Sequence, residues 1–256
     1  MSYFYYQVKK IFYKETGKGT PVILLHGDTA SSLMFEPLLP LYEEYFHLIL
    51  LDFLGNGKSD RVDEFPSDLW IDQSKQVLAL IEHLKYPKVN LIGTSGGAWV
   101  AVNAALARPD RIQKVVADSF DGRTLADDFA DNLVAERNYA KNDSFAKQFY
   151  EWCQGPDWED VVDRNTKALL ECANKKLPLF IKPLESLAVP ILLTGSLEDT
   201  MCRKDMRQEY EAILRTVPQG SMHLFPTGEH PAMVSNAEQF VKLITAFLIE
   251  DNVNNH

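Results

Sequence analysis

The sequence predicts an α/β fold, a mostly parallel sheet with helices on both faces. Three observations predict it. Short, continuous apolar runs alternate with amphipathic stretches of helical period, as expected of strands buried on both faces and joined by helices. The length of 256 residues suits one large α/β domain with room for an insertion. One strand-like run, Val89-Asn90-Leu91-Ile92, passes through Gly93-Thr94-Ser95-Gly96-Gly97 straight into a helix-like run over 98–105. That strand–turn–helix context makes G-x-S-x-G a nucleophile elbow, with the glycines permitting a strained turn and the serine hydroxyl projecting above the sheet.

The elements follow in order. Residues 3–6 and 11–13 read as leading antiparallel strands, and 22–25 as a buried strand ending at His26-Gly27. A helix is expected from about 32 to 45, then a strand over 48–51 closed by Asp52. Ser67 suits the N-cap of a long helix with Trp70, Val77, Leu80, Ile81 and Leu84 on one face. Beyond the elbow come strands at 114–117 and 189–193, a helix over about 203–215, a strand at 222–225 and a closing helix around 237–248.

Between about 120 and 187 the alternation fails. The segment has helical periodicity without a strong β run, and Gly155-Pro156 interrupts it. Such an insertion reads as a cap over the carboxyl ends of the strands, where sheets of this kind bind ligands, or else as a further pair of packing helices. The expected division is a core of 1–119 and 188–250, a helical cap of 120–187, and a disordered polar tail of 251–256.

Composition excludes several function classes. A net charge of −10 and a pI near 5.1 argue against nucleic acid or anionic membranes as partners. No stretch approaches the roughly 18 apolar residues that a membrane span requires. The N-terminus lacks the apolar core and small-residue cleavage site of a secretory signal. Cys153, Cys172 and Cys202 are an odd set without C-x-x-C spacing, so neither a disulfide framework nor a zinc site is indicated. Free thiols in a reducing compartment fit this, and the cytoplasm is the expected location.

A serine hydroxyl needs a base to take its proton and a carboxylate to orient that base. Among the histidines, His230 lies in the loop Thr227-Gly228-Glu229-His230-Pro231 between the last strand and the last helix, on the same sheet edge as Ser95. His26 reads as a structural hydrogen-bonding residue near the oxyanion loop. The acid falls after an intervening strand, in Gly195-Ser196-Leu197-Glu198-Asp199-Thr200. Asp199 is preferred, with Glu198, Asp118 and Asp121 as alternatives. The oxyanion donors are expected to be the backbone N–H groups of Gly96 and Asp28. The Asp28 side chain either makes a local contact with Thr29, Ser31 or Ser32 or meets a cationic or hydroxylated substrate group. Aromatic residues of the insertion, Trp152 and Trp158 among them, are candidates to line a small apolar cavity over Ser95.

These motifs, with the segment Asp52-Phe53-Leu54-Gly55-Asn56-Gly57-Lys58-Ser59-Asp60, resemble the α/β-hydrolase superfamily. The resemblance covers Val22 to about Ala117 and Val189 to Leu248. It implies an eight-stranded, mostly parallel sheet, a cap after the sixth strand, a Ser–Asp–His triad, and neither cofactor nor metal. Asn56 stands where a histidine is frequent, and Thr94 where a bulkier residue often precedes the serine. Ser95 sets the chain apart from the branches with an aspartate nucleophile. The look is closest to small-ester hydrolases, enol-lactonases and valacyclovir-hydrolase-like proteins. The expected function is serine hydrolysis of a small carboxylic ester, thioester or lactone. The alternatives are a cofactor-free lyase or C–C hydrolase using the same triad, or a ligand-binding receptor of slow turnover. The expected partner is a small ester-like molecule.

Overall fold

A computed structural model describes residues 2–249; the tail expected over 251–256 lies outside them. Strands β1 (Ser2–Tyr6), β2 (Lys9–Gly17), β3 (Thr20–Leu25), β4 (Phe46–Leu51), β5 (Val89–Thr94), β6 (Ile112–Asp118), β7 (Ile191–Ser196) and β8 (Gly220–Phe225) form one eight-stranded sheet. The spatial order is β1-β2-β4-β3-β5-β6-β7-β8. β1 pairs antiparallel with β2, and β2 antiparallel with β4. All later pairings are parallel.

Apolar alternation within the strands explains the layers. Ile23, Leu25, Ile49, Leu51, Leu91 and Val115 face one core, which they share with helices α2 (Leu69–Leu84) and α3 (Gly96–Ala107). Val22, Leu24, Leu48, Leu50, Ile92 and Val116 face the other, packed against Phe35, Tyr42, Phe240 and Ile244. Successive strand residues point to opposite faces, so continuously apolar strands require helices on both sides.

The segment expected as a helix over 32–45 is instead a 3₁₀ turn, Ser32–Leu38, followed by the short α1 (Leu39–Tyr42). Pro37 inside the first piece and Pro40 near the start of the second explain the break, since each lacks an N–H. Helix α2 buries Trp70, Val77, Leu80 and Ile81 as expected, but starts at Leu69, with Asp68 rather than Ser67 at the N-cap.

Between β6 and β7 the chain forms α4 (Phe129–Asn142), α5 (Ser144–Gln154) and α6 (Trp158–Asn174). The break at Gly155 was legible; the break at Asp143 was not. There the Asp143 carboxylate accepts the Phe145 and Ala146 N–H groups at 3.1 and 2.9 Å, capping α5. These helices pack over the loops at the carboxyl ends of β3 and β4. Gln154 Nε2 donates to the Thr29 and Ala30 carbonyls at 2.9 and 2.8 Å, and its Oε1 accepts the Gly57 N–H at 2.8 Å. Arg61 pairs with Asp157 at 2.7 Å and donates to the Gln154 carbonyl.

The chain completes the core with α7 (Met206–Leu214), α8 (Ala232–Ser235) and α9 (Ala237–Ile249). Strand order changes direction between β3 and β5, which are neighbours although β4 lies between them in sequence. A crevice opens outside the carboxyl ends of strands at such a switch point. The turns after β3 and β5 carry Asp28 and Ser95. No helix among the described residues is long and apolar enough to cross a membrane.

Candidate active site

Ser95 joins β5 to α3 with φ 53° and ψ −126°. A side chain held at positive φ costs on the order of 1–3 kcal/mol, so the surroundings must impose it. They do so by close backbone approach. A Cβ on Gly93 would collide with the Gly97 carbonyl, and one on Gly97 with the Leu25 carbonyl. Only glycine lets strand and helix meet this closely.

Two residues at the end of β6 tie the serine turn to the histidine loop. The Asp118 carbonyl accepts the Ser95 N–H at 2.8 Å, while its carboxylate accepts the Met233 N–H at 3.2 Å. Ser119 Oγ accepts the Ala232 N–H at 2.8 Å, and Ser119 itself sits at φ 52°. His230 Nδ1 bonds Asp199 Oδ2 at 2.8 Å. Asp199 also accepts the Met201 and Cys202 N–H groups at 2.9 and 3.2 Å, which fixes its orientation. Ser95 Oγ has no hydrogen-bond partner among the described residues.

The competing carboxylates are placed elsewhere. Glu198 is exposed and accepts the Gly228 N–H at 3.3 Å. Asp121 accepts the Arg203 N–H at 2.8 Å and the Ala126 N–H at 3.3 Å, bracing that loop. Asp118 is fully buried, with Thr94 and Thr194 hydroxyls donating to it at 2.9 and 2.8 Å.

Burial pulls the His230 pKa down, but the hydrogen bond and charge of Asp199, with Asp118 and Glu136 behind, more than offset it. The imidazole therefore titrates above its ordinary 6.5. Burial disfavours the Asp199 anion, yet the His230 bond and charge keep its pKa below the ordinary value. Burial pushes Asp118 up to about 6 against the opposing effect of its hydrogen bonds.

Asp118 thus binds its proton more tightly folded than unfolded. Its effect on stability favours the fold below pH 3.8, declines as pH rises, and levels off above about 6. The cost at neutral pH is on the order of 3 kcal/mol. The change in Tm on Asp118→Asn should therefore be more favourable at pH 7 than at pH 4, whatever the replaced hydrogen bonds cost. The substitution should also lower the His230 pKa, as one of the charges that raise it is removed. Parallel melting curves and an NMR titration of His230 check both outcomes.

Two backbone N–H groups at the switch point, those of Asp28 and Gly96, have no partner among the described residues. Gly96 opens α3, whose dipole favours negative charge at that end. His26 holds the first turn: its Nδ1 donates to the Gly27 carbonyl at 2.8 Å, and its Nε2 accepts the Phe53 N–H at 3.2 Å. Burial lowers the His26 pKa, in keeping with this neutral tautomer.

The Asp28 side chain makes none of the local contacts considered from sequence. Asp52 takes the Ser32 N–H instead, at 2.7 Å. The Asp28 carboxylate turns over Gly96, where it would meet a Cβ, and accepts from Trp70 Nε1 at 3.3 Å and Asn165 Nδ2 at 3.4 Å. Trp70 is held for this by stacking on Trp99 at 4.2 Å between ring centroids.

Trp152 and Trp158, expected over Ser95, meet other rings of the insertion. Trp152 is 45% exposed and its ring touches Phe149. Trp158 is buried, stacked on Tyr150 at 5.5 Å. What gathers beside Asp28 is polar: Asn165 from α6, and Arg137, whose charge acts on it from α4. Sequence reasoning missed Trp70, Ser119, Arg137 and Asn165, because long-range pairing brings them in. Clefts of about 300 and 280 Å³ open beside the Asp199 loop and between residues 63–67 and α6; neither is lined by Ser95.

Asp199, Cys202 and His230 could in principle offer a metal three ligand atoms. The arrangement suits a proton better. His230 Nδ1 already faces Asp199 Oδ2 at 2.8 Å, and a metal on these atoms would have to replace that bond.

The human serine hydrolase BPHL is 26% identical across 93% of this chain and 83% of its own length. A 2-(acetamidomethylene)succinate hydrolase of Mesorhizobium japonicum is 33% identical over 108 residues, which are 42% of this chain and 38% of that protein. The solved structure of the meta-cleavage product hydrolase CumD from Pseudomonas fluorescens IP01 matches with a TM-score of 0.78 at 19% identity. It covers 95% of this chain and 96% of that one. A family model, the alpha/beta hydrolase family, matches residues 22–243, and the chain belongs to that family of hydrolases.

Proposed function

We propose that the protein is a serine hydrolase that cleaves a small carboxylic ester, thioester or lactone through an acyl-enzyme on Ser95. The observation that carries this reading is the strained Ser95 turn, tied through residues 118 and 119 to the loop of the Asp199–His230 pair. His230 Nε2 takes the Ser95 proton as Oγ attacks the carbonyl carbon. The oxygen that becomes negative lies at the Asp28 and Gly96 N–H groups. The C–O bond then breaks, His230 returns its proton to the leaving alkoxide, and a water repeats the sequence to release the acid. Asp199 holds the imidazole in the tautomer that leaves Nε2 free and stabilises the imidazolium. Helices α4 to α6 serve as the cap, and the free thiols support a cytoplasmic location.

A series of chromogenic esters with product identification tests the reading. Turnover should peak at short acyl chains, because Asn165 of the insertion, 1% exposed, stands against the Asp28 side chain beside the serine turn. A maximum on long-chain lipids would contradict a closed cap, and products of carbon–carbon cleavage would reassign the reaction.

The raised His230 pKa sets the sign of the pH dependence. A base must be neutral, so kcat/KM should rise with pH through an apparent pKa above 6.5 and then plateau. A rate that is flat between about pH 5 and 8, with chemistry rate-limiting, would remove His230 from the role.

A further inference from the structure

The turn that carries the Asp28 N–H is not held by its own bonds. Thr29, the next residue, is buried at φ 59°, which a β-branched side chain rarely adopts, so its surroundings must impose it. The bond that closes the turn is long, with the Ala30 N–H reaching the Gly27 carbonyl at 3.3 Å. The shorter restraints come from the far end of α5. Gln154 Nε2 donates to the Thr29 carbonyl at 2.9 Å and to the Ala30 carbonyl at 2.8 Å, while Oε1 accepts the Gly57 N–H at 2.8 Å. These partners fix which way round the amide lies, because carbonyls only accept and the Gly57 N–H only donates. Gln154 is 3% exposed, and a buried amide with both protons engaged is a rigid support.

Docking of the insertion does not explain this arrangement. Arg61 pairs with Asp157 at 2.7 Å, Arg164 donates to the Val62 carbonyl at 3.1 Å, and Lys167 meets Glu64 at 2.6 Å. Those ties hold the insertion to the loop after β4 without touching the turn. Among the described residues of the insertion, only Gln154 hydrogen-bonds the turn's backbone.

We propose that Gln154 is a positioning residue for the oxyanion hole, fixing the Asp28 N–H from α5 so that this donor is in place only while the insertion is docked. The proposal rests on the Ser95 hydrolase reading. An oxyanion donor helps only when it is aimed before the charge forms, and a displacement of about 1 Å can cost about 10²-fold in rate. The Gly96 N–H is built into the start of α3 and does not depend on Gln154. Loss of Gln154 therefore disables one donor and spares the other.

The test compares phenyl acetate with phenyl thionoacetate, in which sulfur replaces the carbonyl oxygen. Sulfur is larger and a weaker hydrogen-bond acceptor, so the thionoester draws little from the hole. Gln154→Met keeps the length of the side chain and removes its hydrogen bonds. Its kcat on phenyl acetate should fall by about 10- to 100-fold with KM within about threefold of native, and the oxygen-to-sulfur rate ratio should fall with it. Asp157→Asn loosens the insertion at the Arg61 pair and should keep the native ratio. If Gln154→Met does not fold, Gln154→Glu decides. It keeps the shape and the Gly57 acceptor but loses both donors, so its ratio should fall too. Native kcat, equal losses on both esters, or a change in KM alone would each overturn the positioning role. So would an equal fall of the ratio in Asp157→Asn. Fluorophosphonate labelling separates the two readings: an unlabelled Ser95 in the native protein defeats the hydrolase reading. Labelling with the native ratio kept in the Gln154 variants defeats the positioning role alone.

Discussion

Ser95→Ala should lower kcat by roughly 10⁶, the scale seen when a triad nucleophile is removed, and leave the fold intact. Nothing in the core depends on the hydroxyl, which has no hydrogen-bond partner among the described residues. The backbone of the turn is a separate matter. Alanine keeps the Cβ and hence the strain at φ 53°, whereas Ser95→Gly relieves it. The glycine variant should be equally inactive but more stable than native by about 1 kcal/mol, read as a higher midpoint in denaturant. An inactive but less stable Ser95→Gly protein would show that the turn is not strained as described.

Asp199→Asn should reduce kcat by about 10⁴, since an amide facing Nδ1 favours the wrong imidazole tautomer. Glu198→Gln should stay within about tenfold of native, because its carboxylate only meets the Gly228 N–H at the surface. The contrast between adjacent residues, measured on one substrate, isolates the 2.8 Å bond from Asp199 to His230. A large loss in Glu198→Gln with a small one in Asp199→Asn would reverse the assignment.

Much of this arrangement could be read along the chain, and the reason is physical. The elbow is a local device: strand, glycines, serine and helix are contiguous, so the turn that strains Ser95 is written in residues 89–105. The parallel strands are also legible, because burial on both faces demands unbroken apolar runs such as Val22 to Leu25. His230 and Asp199 follow from their place after successive strands at the sheet edge. What failed to show was either backbone detail or distant pairing. Pro37 and Pro40 turned an expected helix into a 3₁₀ piece and a short α turn. Asp28 looked like a turn residue, and its partners Trp70 and Asn165 come from 42 and 137 positions away. No periodicity encodes such a meeting. Ser119 was equally silent, since a serine after a strand gives no sign that its hydroxyl will hold the histidine loop.

The proposed hydrolase requires Ser95 to form a covalent bond at carbonyl-like centres with help from His230. Intact-protein mass spectrometry after brief exposure to a fluorophosphonate, followed by peptide mapping, measures this directly. The native protein should gain one phosphonyl group, mapped to Ser95, with labelling lost in Ser95→Ala and slowed by orders of magnitude in His230→Ala. An adduct on any other residue, or labelling that persists undiminished in Ser95→Ala, would contradict Ser95 as the nucleophile.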